Sequence, residues 1–147
     1  MSSYLSLLRR HGADILNSPG MRLQQGHLQH GRVSVYAHSV AVALLCLKLS
    51  RRLRLNVNER ALVRGALLHD YFLYDWHEKD PSHRWHGFTH PAKALKNASR
   101  DFRLDRIERD MIAHHMFPLV PGLPRCRESL LLCVADKLCA IKETFKR

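Results

Sequence analysis

Apolar residues recur along this chain at intervals of three and four, the period of helices with one buried stripe, and no segment shows the alternation of a strand. Residues 3–17 are anchored by Leu5, Leu8, Ile15 and Leu16, and Ser18-Pro19-Gly20 stops them. A short second helix is predicted to end at His30-Gly31. The third runs from about Ser34, acting as N-cap, to Leu53, and its stripe of Val35, His38, Val42 and Leu45 puts His38 among buried positions. Asn58 caps the fourth, whose last turn carries His69-Asp70. A polar, aromatic-rich loop follows over 71–89, and Pro91 suits the first residue of a helix over 91–99. Proline disfavours helical geometry in the residue before it, so His90 is expected outside that helix. Asp105 caps a helix ending near His115, because Pro118 and the segment PGLP forbid continuation. The last helix, about 126–145, places Cys133, Asp136 and Ala140 on one face. The pattern predicts helices throughout, an all-α chain, and its length one domain spanning 1–147.

Onto these helices fall residues that bind metals. The dipeptide His69-Asp70 closes the apolar run Ala61 to Leu68, with His38 upstream and His90, His114-His115 and Asp136 downstream. Two adjacent ligands at a helix end can grip one metal, or bridge two if the carboxylate uses both oxygens. Imidazole with carboxylate suits Mn, Fe, Co, Ni or Zn better than Mg or Ca. Asp136, inside LLLCVADKLCAI, would be costly to bury unpaired, so either a cation satisfies it or the helix exposes it. His38, taken alone on its apolar stripe, reads as a hydrogen-bonded core histidine. Residues 114 and 115 lie roughly 100° apart around a helix and need not face the same centre.

The strings SVYAHSVAVA, ALLHD, HGFTHP, HHMFP and VADKLCA, spread in that order over residues 34–140, resemble the HD-domain superfamily of metal-dependent phosphohydrolases. His90 and His115 resemble the added ligands of its binuclear branch. The resemblance implies one or two divalent transition metals at the centre of a helical bundle, held by His38, His69, Asp70, His90, His115 and Asp136. By the same resemblance His115 is the ligand and His114 a neighbouring or substrate-facing residue, although some relatives use both. Trinuclear relatives also carry a glutamate one turn before the first histidine. Here that position is Ser34, so a third metal is not expected.

Two cations bridged by Asp70 would lower the pKa of a shared water and neutralise charge growing on phosphoryl oxygens. His114 or His86 would protonate the leaving alcohol. Lys93, Arg84, Lys137 and His30 are the candidates for holding a substrate phosphate, which would belong to a phosphomonoester or phosphodiester of a nucleotide or small metabolite. The alternative is a diiron oxygenase, because other members of the superfamily hold two irons in a similar set of residues and use dioxygen to cleave C–C or C–P bonds.

Charge is the one compositional extreme: 24 Lys and Arg stand against 13 Asp and Glu, a net charge of +11. Such a field attracts anions. The basic residues are dispersed rather than interleaved with aromatics, and no nucleic-acid motif is present, so the expected partner is a small phosphorylated substrate rather than nucleic acid. The aromatics Tyr71, Phe72, Tyr74, Trp76, Trp85 and Phe88 could stack on a base, or pack their loop onto the bundle. The longest apolar stretch, Val33 to Leu49, includes His38, Ser39 and Lys48 and falls at or below the length of a membrane span. The first residues place charge after the apolar positions, the reverse of a secretory signal, so the expected location is cytoplasmic and away from membranes. Cys46, Cys126, Cys133 and Cys139 show no CxxC spacing and read as buried free thiols. Nothing in the pattern sets an oligomeric state.

Overall fold

The computed structural model describes residues 3–26, 28–30, 33–71, 86–117 and 122–145, with the backbone alone at 28–30 and 86–90. Its elements are α1 (Ser3–Leu16), α2 (Pro19–Gln24), β1 (Leu28–His30), β2 (Val33–Ser34), α3 (Val35–Arg52), α4 (Glu59–Leu68), α5 (His86–Asp101), α6 (Arg106–His114) and α7 (Arg127–Phe145). The fold is all-α, with one minimal hairpin.

Helix starts follow side-chain chemistry. Ser18, Ser34 and Asn58 each accept a hydrogen bond from the backbone N–H three residues on, satisfying a donor that the first helical turn leaves unpaired. Asp105 does the same within a reciprocal capping box closed by Glu108. The Ser34 position is therefore occupied by a structural task.

Two elements differ from the sequence pattern. The second helix stops at Gln24 instead of reaching His30, its last turn tightened by Gln25 and Gly26 N–H groups donating to the carbonyls of Arg22 and Leu23. Beyond it, Leu28 pairs with Ser34 and His30 with Val33 in an antiparallel hairpin against α3 and α7, so His30 sits on a strand. Strands this short hold too few residues to show a period. The other difference is α5, which begins at His86 and carries Pro91 inside, so the backbone of His90 is helical. The carbonyl that the Pro91 ring crowds belongs to Gly87 in the first turn, where the missing N–H costs least and a glycine can adjust.

The core is organised around α4, whose residues from Ala61 to Leu68 are all buried, with α1, α3 and α6 packed about it. Arg64 is buried among them. Its guanidinium forks onto Asp14 at 2.6 and 3.0 Å and donates to the His11 carbonyl at 3.0 Å, so a charge on the central helix is answered by α1. Opposite, α6 approaches so closely that a Cβ on Gly65 would run into Sδ, Cε and Cβ of the buried Met111. Alanine is ordinarily better than glycine in a helix by about 1 kcal/mol. Overpacking costs about 1–3 kcal/mol and Met111 Cβ cannot swing aside, so Gly65→Ala should lower the calorimetric melting temperature. A higher melting temperature would show that the contact has room to give.

Among the described residues no helix is long and apolar enough to cross a membrane. All four cysteines are free, with Cys46, Cys133 and Cys139 buried and Cys126 half-buried.

Candidate metal centre

Four helices converge on one buried cluster. His38 lies in the first turns of α3, His69 caps the C-terminus of α4 with Asp70 next to it, His115 caps the C-terminus of α6, and Asp136 projects from the middle of α7. His69 and His115 use one local device: Nδ1 of each donates to the carbonyl three residues earlier, Ala66 O at 2.6 Å and Ile112 O at 2.9 Å. Those carbonyls belong to the last helical turn, where the regular pairing runs out; Ala66 O takes only a long 3.5 Å bond from the His69 backbone N–H besides the ring. His38 donates its Nδ1–H to Glu143 Oε1 at 2.7 Å. Each ring is thereby fixed in orientation and tautomer with Nε2 facing inward, as a metal-binding imidazole requires.

The inward atoms meet closely. His38 Nε2 is 2.8 Å and His69 Nε2 is 3.2 Å from Asp136 Oδ1, while Asp70 Oδ2 stands 3.2 Å from His69 Nε2 and 3.7 Å from His38 Nε2. The donors of His38, His69, Asp70 and Asp136 all lie within 4.8 Å of one another. His115 adds its Nε2 at 3.5 Å from the other carboxylate oxygen, Asp70 Oδ1, and its ring centre lies 4.8 Å from that of His69. His38, His69 and His115 are fully buried and Asp70 is 1% exposed.

Such a set asks for a cation. Every one of the three imidazoles has an oxygen acceptor beside each of its two nitrogens, so its inward nitrogen must meet either a proton or a metal. With protons alone, His38 and His69 are driven toward imidazolium. Burial opposes the charge on His38, but Asp136, Glu143 and Asp70 outweigh it and raise its pKa to about 9. Burial likewise opposes the charged form of His69, and Asp70 with Asp136 overcomes it, raising the pKa well above the usual histidine value. Burial would also raise Asp136, yet the His69 charge and the bonds to both rings hold it well below the usual carboxylate range. Two donors each about 2.1 Å from one ion, at 90–110° to each other, stand about 3.0–3.4 Å apart. Two separations of 3.2 Å fall within that range, 2.8 Å lies just short of it and 3.7 Å just beyond, and the donor types are those of a transition-metal site.

Of the other sequence-predicted residues, His114 is held by Asp110. Its Nδ1 donates to Asp110 Oδ1 at 2.7 Å, and Asp110 also accepts from Ser129 Oγ, Cys126 Sγ and the Arg125 N–H. Gly122, at φ +125°, passes so near that a Cβ there would meet the His114 ring. The ammonium of Lys137 rests 3.4 Å from the backbone carbonyls of His115 and Cys133. Lys93 is half-buried on α5. Tyr71 is buried, its hydroxyl donating to Asp101 Oδ2 at 2.7 Å, so this aromatic packs against the bundle. The side chains of His30, His86, Phe88 and His90, and residues Phe72, Tyr74, Trp76, Arg84 and Trp85, lie outside the described residues.

The structure adds Glu143, a residue the sequence pattern does not single out. It is buried and supports His38 from behind. A signal was present: position 143 follows Asp136 by seven residues, two helical turns, and so shares its face.

No curated protein and no solved structure matches the chain. The HD domain family matches it over residues 35–141, a span running from the start of α3 nearly to the end of α7 and including every donor described above. The chain therefore belongs to the HD-domain family, whose general activity is that of metal-dependent phosphohydrolases.

Proposed function

We propose that the protein is a binuclear phosphohydrolase that cleaves a phosphomonoester or phosphodiester of a nucleotide or small phosphorylated metabolite. One observation carries the binuclear reading: Asp70 straddles two sets of imidazoles, Oδ2 toward His69 and His38 and Oδ1 toward His115. In this reading His38, His69, Asp70 and Asp136 hold one cation, drawn from Mn, Fe, Co, Ni or Zn, and Asp70 with His115 and His90 holds a second. When bound, the metals supply Lewis acidity, lowering the pKa of water and neutralising negative charge on the phosphoryl group.

The chain's own residues do the rest. Glu143 and the carbonyls of Ala66 and Ile112 aim the three imidazoles. His114, oriented by Asp110, is the proposed proton donor to the leaving alcohol together with His86. Lys93 and Arg84 supply positive charge for the substrate phosphate, with His30 as a further contact, and Lys137 places its charge in the wall behind His115.

Metal analysis of the purified protein, followed by phosphomonoester and phosphodiester panels run with and without oxygen, tests the reading. The expected result is transition metal in the protein as isolated and phosphate-ester cleavage that is lost on chelation and indifferent to oxygen. Oxygen uptake without phosphate-ester cleavage would overturn the hydrolase and leave a diiron oxygenase built from the same donors.

A further inference from the structure

The helix that carries Asp136 and Glu143 toward the metal centre turns a second face outward. On that face Leu130 is 53% exposed, Val134 51%, Leu138 49%, Ile141 58% and Phe145 82%. They follow one another at steps of four, four, three and four residues, a straight row about 22 Å long. Scattered exposed leucines are ordinary on a protein surface, but an unbroken row along a whole helix is not. Only Arg127, Lys142 and Thr144 are exposed beside it among the residues of α7.

We propose that this row is the contact of a symmetric homodimer in which α7 packs antiparallel against α7 of a second copy. The row is its own complement. A two-fold axis near Leu138 sets Leu138 against its own copy, Val134 against Ile141, and Leu130 against Phe145, so smaller side chains at one end meet the larger ones at the other. A parallel pair would instead oppose Lys142 to Lys142 and Arg127 to Arg127. Lys137, which lies close to the axis, is turned away from it, its ammonium drawn inward to the carbonyls of His115 and Cys133.

Area supports the same occupant. The five residues expose roughly 500 Å² per chain, so a pair that covers the row fully buries about 1,000 Å² before the stems of Arg127 and Lys142 are added, the lower threshold of a specific interface. A lipid-lying helix carries a strongly charged opposite face, whereas the opposite face of α7 is buried in the bundle. The inner face of the same helix holds donor and support to the metal centre, so the pairing braces both. This inference stands on the exposed face of α7 and does not depend on the reaction catalysed.

Sedimentation velocity of the full chain over roughly 1–100 µM tests it, a range that reaches the weak association of a small interface. Wild-type protein should run at twice 17.1 kDa at the upper end, and Leu138→Glu, which sets a carboxylate against its copy at the axis, should run at 17.1 kDa with unchanged helical circular dichroism. If that variant does not fold, Leu138→Cys takes its place. Mild oxidation should link it into a disulfide dimer in high yield, while Arg109→Cys on α6 stays unlinked. Three results would each overturn the proposal: a monomeric wild type throughout, a dimer that survives Leu138→Glu or fails to cross-link through Cys at 138, and a monomer that binds phosphatidylserine vesicles through this row.

Discussion

Asp70→Ala abolishes phosphate-ester cleavage and removes most bound metal, while the helical circular dichroism is retained. The expectation follows from position. Asp70 is 1% exposed and its two oxygens serve different imidazoles, so one substitution withdraws a donor from both halves of the cluster. Losing a residue that merely supports a ligand typically costs 10–100-fold in metal affinity, and a shared ligand costs more. The fold should tolerate the change because the lost contacts are local to the cluster, while the packing of α4 rests on Ala61 to Leu68. Metal content by mass spectrometry beside far-ultraviolet circular dichroism decides it. Full metal stoichiometry in Asp70→Ala would sink the claim that this carboxylate bridges.

Glu143→Ala lowers metal affinity by about 10–100-fold without removing any ligand, and Glu143→Gln recovers much of the loss. The carboxylate accepts the Nδ1–H of His38 at 2.7 Å, and a glutamine offers a carbonyl oxygen of nearly the same reach. Recovery by glutamine would mean that orientation of the ring matters most; failure to recover would assign the larger share to negative charge behind the imidazole. Competition with a chromogenic chelator measures both. Wild-type affinity in Glu143→Ala would reduce this contact to ordinary packing.

Much of this architecture could be read from residue order because its causes are local. Ser34, Asn58 and Asp105 start helices by bonding a backbone N–H three residues away, and such chemistry is written in the chain itself. The hairpin at 28–34 could not be read, since its strands are set by pairing and not by a run of alternating side chains. The start of α5 was misplaced because the rule about residues before proline is a preference, and here it yields to the continuing helix. For the site, residue types and order marked His38, His69-Asp70, His90, the pair His114-His115 and Asp136, and family resemblance chose His115 from the pair. Nothing local told which neighbour, His114 or His115, turns toward Asp70; the end of α6 decides, because His115 is the residue whose ring folds back onto its own last turn. Glu143 looked like any helical glutamate, and in a helix with apolar residues on most sides the order alone does not separate the outward row of α7 from its buried one.

The placement of His69 and His115 at the ends of α4 and α6 has a consequence for how the bundle breathes. Helix ends fray first, because their final carbonyls have no partner and their amides open without disturbing the rest. Here both fraying points carry imidazoles that close those carbonyls and aim at a common centre. A cation held there would staple the two ends to each other and to α3 and α7, so that local opening of either end would require release of the ion. Stability at the frayed ends and occupancy of the centre thus become one equilibrium rather than two.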